Sequence, residues 1–396
     1  MAHRPWILPA AWLLVLCLSP TSAETGTAAG GSTAAAAVAG AQFTGNTRAE
    51  SQALSAFSKA SAEWGTGIEA VIEDAYRRCF RTYLVDGRFV TLRMPFGENN
   101  ERSELADADL AILGGGKADP AVLWDTISGL LESADFRSYT SLLADGREKV
   151  FIFDIGARGW STTKDRFIID RITTGAYPGL PHKPYVLTRG RGVTAADVYN
   201  YLYCVGRVGM DCSGFVWHVL QSVATAGGLD LGRTFGRYAG ATRSSDAAWF
   251  IGTWFFDPKN RNLEEVKDEI RNLRPADIIV FRGDDGTTRH SAVIQSIDRV
   301  RGTIRYLQST DEAPQDERGV HESLITFNPA RPEASLEDPS VTWRQLRAAA
   351  FNGEGGIWFR DDGERYRAYP EHGGGTVVRL KALTKVVTRL SSTSSR

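Results

Sequence analysis

The sequence predicts an α+β fold: helices packed on an antiparallel sheet, with an additional N-terminal α/β region and a small C-terminal extension. Three observations predict it. Thr194-Ala195-Ala196-Asp197 has the form of a capping box, so a helix starts there and carries Val198, Tyr201 and Leu202 on one side. After a turn at Gly206 to Gly209, Phe215 to Ala226 reads as a second helix. Ile278 to Phe281, His290 to Ile297 and Thr303 to Thr310 then read as strands, separated by a turn at Asp284-Asp285-Gly286 and a short polar loop ending in Gly302. Leu273-Arg274-Pro275-Ala276-Asp277 is the turn that leads into the first of them.

The elements fall into a linear order along 396 residues, a length that fits two or three domains. Residues 1–23 read as a signal peptide. His3 and Arg4 open it, the apolar run Trp6 to Leu18 is too short to span a bilayer, and Pro20-Thr21-Ser22-Ala23 ends on a small residue. Cys17 follows the bulky Leu16 and is read as part of that signal rather than as a lipid attachment site. The expected location is therefore exported: the periplasm, or the cell envelope and its exterior. No later run is long and apolar enough for a transmembrane segment.

Residues 24–46, rich in Gly, Ala, Ser and Thr, form a flexible linker. Residues 47–190 form an N-terminal region of unknown role, with helices at 48–64, 68–83 and 121–131 and strands at 89–92 and 150–153. Gly114-Gly115-Gly116-Lys117 is followed by Ala118 rather than the Ser or Thr of a phosphate loop, and reads as a plain turn. The core spans 191–330 with an insertion at about 229–269. The insertion's aromatic run, Trp249 to Phe256, reads as packing against the core rather than as a lip over a cleft. The extension, 331–396, ends in a basic patterned segment (Arg379, Lys381, Lys385, Arg389) that reads as a solvated face. The near-neutral charge of -1 with 23% charged residues gives no support to nucleic-acid binding or to disorder.

Chemistry concentrates at three positions. Cys212 stands where a turn becomes a helix, a setting that stabilises a thiolate and brings a thiol from about 8.5 to roughly 3.5–7.5. Asp211 is a good N-cap, and Ser213 and Gly214 are small enough to leave room for a substrate carbonyl. A small buried hydrophobe is the plain alternative for a cysteine taken alone. His290 begins a strand and shares its face with Ala292 and Ile294, while Gln308 shares a face with Tyr306 and Ile304 in the next strand. A hairpin centred near Arg299 sets His290 opposite Gln308, so that Gln308 orients one imidazole nitrogen and the other faces Cys212. A Cys, a His and a polar orienter suit acyl transfer. His218 points elsewhere on its helix, His321 falls in a loop beyond the hairpin, and His182 and His372 have no evident partner. There is no His-Glu-x-x-His and no paired Cys-x-x-Cys, so neither a zinc site nor another cofactor is expected. Beyond the signal three cysteines remain, an odd number that flags a free thiol. Cys79 and Cys204 are either a disulfide or two separate thiols.

Asp211-Cys212-Ser213-Gly214-Phe215-Val216, Leu273-Arg274-Pro275-Ala276-Asp277-Ile278 and His290-Ser291-Ala292-Val293-Ile294, in that order, resemble the core of the NlpC family over about residues 194–327. The resemblance implies a papain-like NlpC-type core and an exported cysteine endopeptidase acting on peptidoglycan or muropeptides. In that family the bond cut is most often γ-D-glutamyl to diamino acid. It assigns Cys212 as nucleophile, His290 as base and Gln308 as orienter, and places Tyr203 in the lining of the site; Tyr203, Asp211 and Ser213 are the candidate substrate-binding residues. The chain departs from the pattern at Ala276, where Gly is usual, and at Ser291, which replaces an apolar residue. Its loop from Tyr203 to Cys212 is short, and the stretch from Cys212 to His290 is long. An amidase or acyltransferase on the same pair, or a non-catalytic wall-binding protein, are the alternatives.

Overall fold

The computed structural model describes residues 67–85, 87–97, 119–145, 150–154, 159–163, 185–186, 193–202, 206, 208–310, 318–345, 362–372 and 374–393. They divide between two compact units, one drawn from 141–191 and the other from 41–140 with 192–396. The signal and linker segments, the 48–64 helix, the glycine turn at 114–117, His182, Tyr203 and Cys204 lie outside the described residues.

In chain order the elements are α1 (Ile68–Arg77), β1 (Phe80–Val85), β2 (Arg88–Arg93), α2 (Pro120–Glu132), α3 (Ala134–Asp145), β3 (Val150–Asp154), β4 (Gly159–Thr163) and β5 (Tyr185–Val186). There follow α4 (Ala195–Tyr201), α5 (Cys212–Ala226), α6 (Leu231–Ala239), β6 (Leu263–Val266), β7 (Ile278–Arg282), β8 (Thr288–Asp298), β9 (Thr303–Thr310) and β10 (Gly319–Thr326). The chain closes with β11 (Thr342–Gln345), α7 (Asp362–Arg367), β12 (Thr376–Leu380) and α8 (Thr384–Thr393). The smaller unit holds a three-stranded sheet of order β4-β3-β5. The larger unit is built on a seven-stranded sheet of order β11-β10-β9-β8-β7-β12-β6, antiparallel at every pairing. The α+β class is thus what the sequence predicts. Among the described residues no helix is long and apolar enough to cross a membrane.

Helix α5 is central. It is apolar nearly all round, and Phe215, Val216, Val219, Leu220 and Val223 are fully buried between the sheet and α1, as an all-apolar helix requires. His218 Nε2 meets Ala75 O at 3.0 Å, tying α5 to α1. The predicted helix at 68–83 stops at Arg77, and the chain turns at Cys79 into the β1–β2 hairpin, whose β-branched and aromatic residues favour a strand. Cys79 is a buried free thiol, its Sγ 3.7 Å from Ala75 O.

The C-terminal extension is part of the large unit: β11 forms one edge of its sheet, and β12 and α7 enter the unit as well. β12 pairs with both β7 and β6, so the extension supplies an interior strand. Arg379, expected on a solvated face, is instead buried and grips Asp277 with Nε to Oδ1 at 2.7 Å and Nη2 to Oδ2 at 2.8 Å. The helix α7 lays Tyr366 on Trp343, ring centroids 4.9 Å apart, over a core that includes Ile279, Phe281, Ala292 and Ile294. The aromatic insertion packs as expected: Phe255 and Phe256 are fully buried and Phe255 meets Trp217 of α5 edge-on at 5.8 Å.

Ala276, in the turn before β7, has φ +69°, a left-handed conformation costly for any residue with a Cβ. A glycine there relieves roughly 1–2 kcal/mol of strain and gives back about 0.4–1 kcal/mol through a looser unfolded chain. Ala276→Gly is therefore expected to raise stability by about 0.5–1 kcal/mol; an unchanged or lower urea midpoint at constant slope refutes the strain argument.

Candidate active site

The site is assembled from the start of α5 and from one strand pair. Asp211 caps α5: its Oδ1 accepts from Gly214 N, and its Oδ2 accepts from Ser213 Oγ at 2.9 Å. The Ser213 hydroxyl is fully buried and also lies 3.3 Å from Ile251 O. Asp211 and Ser213, candidates for substrate contact, thus both have a structural task in holding the helix start. The residues just before are fixed too. Gly209 crosses the 95–97 segment so closely that a Cβ would come 2.5 Å from Pro95 O, and Met210 N donates to that oxygen at 2.8 Å.

His290 lies on β8 opposite Phe281 of β7, ring centroids 5.3 Å apart. The β8–β9 register differs from the expected one. Ile297 faces Ile304 and Ser296 faces Arg305, but Ile294 faces Tyr306 and Val293 faces Leu307, so Gln295 is an extra residue. Continuing that register sets Gln308 beside Ala292 and diagonal to His290, within reach of a long side chain. The bulge decides the face: without Gln295, Gln308 would pair with Val293 and turn away from His290. As it is, His290 Nε2 and Gln308 Oε1 are 2.7 Å apart, with both residues almost fully buried.

Ser309, the next residue, points to the other face and bonds Met210 O at 2.6 Å, just ahead of Asp211 and Cys212. Strand β9 therefore holds the two halves of the site together, Gln308 on the histidine half and Ser309 on the cysteine half. Sequence reasoning passed over Ser309, although its place beside Gln308 in an alternating strand was the available signal.

Cys212 itself lies against Ser291, the neighbour of His290. Ser291 pairs with Val280 and projects from the sheet face opposite to that of His290 and Phe281. The structure thus brings His290 and Gln308 into direct contact, but it sets Cys212 against Ser291 on the opposite face of β8, so the expected facing of an imidazole nitrogen to Cys212 is not seen in the resting structure. Burial pushes the Cys212 thiol up from 9.0 to about 12, and the Asp211 carboxylate adds to the rise. The Ser291 N–H and, more weakly, the Arg365 guanidinium and the Ser291 hydroxyl oppose it; that hydroxyl makes no hydrogen bond of regular geometry. The expected low thiol pKa is therefore corrected. The helix start is present, but desolvation and an adjacent carboxylate outweigh it.

A thiol at about 12 holds on the order of 10³ less thiolate at neutral pH than one at 9.0, partly offset by greater nucleophilicity. Cys212 is accordingly expected to react with iodoacetamide on the order of tenfold or more below the rate of a model thiol at pH 7.5, accelerating as pH rises. Mass spectrometry of the labelled peptide checks this, and labelling as fast as the model thiol refutes it.

Behind His290 the polar chain continues. Gln308 Nε2 donates to Asp362 Oδ2 at 2.9 Å and to Ser323 Oγ at 3.1 Å. Tyr306 OH donates to Asp362 Oδ2 at 2.7 Å, and Gln345 Nε2 to Oδ1 at 3.0 Å. His321 is not in a loop: it lies in β10 directly opposite Gln308 and is fully buried. Strand β10 extends the sheet beyond the hairpin because Val320, Ile325 and the partner β11 complete the core. Among the described residues no group of three or more His, Cys, Asp or Glu is placed to hold a metal ion.

In comparisons with known proteins, no family model, no curated protein and no solved structure matches the chain.

Proposed function

We propose that this chain is a cysteine hydrolase that cuts peptide bonds in peptidoglycan stem peptides after export, with Cys212 as nucleophile and His290 as base. The observation that carries the reading is the buried 2.7 Å contact of His290 Nε2 with Gln308 Oε1, one residue from the Ser291 against which Cys212 rests at a helix start. With Nε2 turned to Gln308, the acid–base work belongs to Nδ1.

For reaction Cys212 Sγ must reach Nδ1; because Ser291 and His290 project from opposite faces of β8 in the resting structure, this requires the start of α5 or of β8 to rearrange on substrate binding. Nδ1 takes the thiol proton as sulfur adds to the scissile carbonyl, and backbone N–H groups at the start of α5 face the oxyanion. The C–N bond breaks and the leaving amine takes the proton from Nδ1. Water then attacks the thioester, gives its proton to Nδ1, and releases the acid as the thiol re-forms.

The substrate class and the γ-D-glutamyl to diamino acid bond rest on the resemblance of the three sequence blocks; an amide or acyl acceptor other than a stem peptide uses the same steps. The raised Cys212 thiol favours one other reading, a non-catalytic wall-binding protein that keeps the same buried network. Digestion of purified wall material with the exported protein decides between them. Release of stem-peptide fragments, identified by mass, supports the hydrolase. Binding to the wall without release of any fragment refutes it.

A further inference from the structure

Asp362 stands 54 residues beyond Gln308 in sequence, in the C-terminal extension, and is buried at the back of the histidine. We infer that Asp362 is a positioning residue that sets the tautomer of His290 through the amide of Gln308. The inference rests on the hydrolase reading for its catalytic consequence, but its structural content stands on the hydrogen bonds alone.

The argument follows from which atoms can donate. The Asp362 carboxylate accepts on both oxygens, from Tyr306 OH and Gln308 Nε2 on Oδ2 and from Gln345 Nε2 on Oδ1. The atom of Gln308 facing Asp362 must therefore be the NH₂, and the atom facing His290 must be Oε1. A carbonyl oxygen only accepts, so the proton of the neutral imidazole sits on Nε2, and Nδ1 carries the lone pair that a base needs. The other partner of the amide, the Ser323 hydroxyl at 3.1 Å, can either donate or accept and so enforces neither orientation. Asp362 is the group that decides. If the amide of Gln308 turned over, its NH₂ would face Nε2, the proton would shift to Nδ1, and the base would be lost.

Two substitutions separate orientation from charge. Asp362→Ala removes the acceptor and frees the amide to take both orientations. Asp362→Asn keeps a carbonyl for Tyr306 and Gln308, because Gln345 can turn its own amide to accept from the new NH₂; the buried Gln345 Oε1 has no hydrogen-bond partner now. The readout is the ¹⁵N spectrum of histidine-labelled protein, which distinguishes Nδ1–H from Nε2–H rings, with the His290 signals assigned by their loss in His290→Gln.

The wild type is expected to show the Nε2–H form, Asp362→Asn to keep it, and Asp362→Ala to show a mixture. On a wall-peptide substrate, kcat of Asp362→Ala falls with KM little changed. An enforced wrong tautomer costs on the order of 10⁴ in kcat in Ser-His-Asp hydrolases, and a mixture costs less, on the order of 10- to 100-fold. If Asp362→Ala does not fold, Asp362→Leu, closer to Asp in volume, takes its place. An Nδ1–H ring in the wild type, or an unchanged Nε2–H ring in a folded Asp362→Ala or Asp362→Leu protein, overturns the inference whether or not the chain cuts wall peptides. A tautomer that shifts as expected in a protein that releases no peptide leaves the inference standing and removes the hydrolase reading.

Discussion

On the proposed hydrolase reading, replacing Cys212 by Ala is expected to remove hydrolysis of wall peptides, a loss on the order of 10⁶ in kcat, while the protein stays folded. The side chain is 7% exposed and packs as a small apolar group, so an alanine fits its place with the loss of little more than one buried atom. His290→Ala is expected to cost about as much, because nucleophile and base act as a unit and removing either leaves only binding and the oxyanion donors. Release of peptides from purified wall by each variant measures both. A folded Cys212→Ala protein that retains even a hundredth of the wild-type rate excludes a thiol mechanism, and the observed products would then belong to other groups. The resting thiol does not weaken this expectation. A thiol at about 12 is inert until its proton has an acceptor, so dependence on His290 should be steep rather than slight.

Local signals in the sequence located the parts that are themselves local. The capping box at Thr194 and Asp197 is present with both of its bonds, and the strand at Thr303–Thr310 has the predicted bounds. The N-cap at Asp211 followed from helix-cap chemistry; the contact of His290 with Gln308 is present, but through a register shifted from the expected one and a bulge at Gln295 rather than through direct opposition. What sequence reasoning missed is set by distance and by single-residue irregularity. The Gln295 bulge leaves no trace in an alternating apolar pattern, yet it fixes which face Gln308 takes. Asp362 and Arg379 look like ordinary charged residues of a polar tail, and only their partners 54 and 102 positions away give them buried roles. The thiol shows the same limit in energetic form. A helix start favours a thiolate, but the sign of the shift depends on burial and on Asp211, and neither magnitude can be read from composition.

Arg379→Leu is expected to destabilise the large unit by about 3–5 kcal/mol, the usual effect of leaving one partner of a buried ion pair behind. Asp277 is 1% exposed, and besides both bonds from Arg379 it accepts from Arg274 N at 2.8 Å. Burial raises the Asp277 carboxyl above its ordinary 3.8, and Arg379 is the larger of the two arginines that pull it back. Without Arg379 the carboxyl rises further, so the folded variant holds its proton more tightly than the unfolded chain does. Stability then falls as pH climbs from about 3.8 through the raised value, and the deficit against wild type is largest at neutral pH and shrinks toward pH 4. Urea unfolding at both pH values measures it. Adding Asp277→Asn to Arg379→Leu removes the stranded charge and is expected to recover much of the loss at neutral pH, since the uncompensated carboxylate, and not the missing attraction, is what costs most. A deficit that does not change with pH, or that the second substitution leaves untouched, would show that Arg379 acts through the packing of β12 between β7 and β6 and not through its charge.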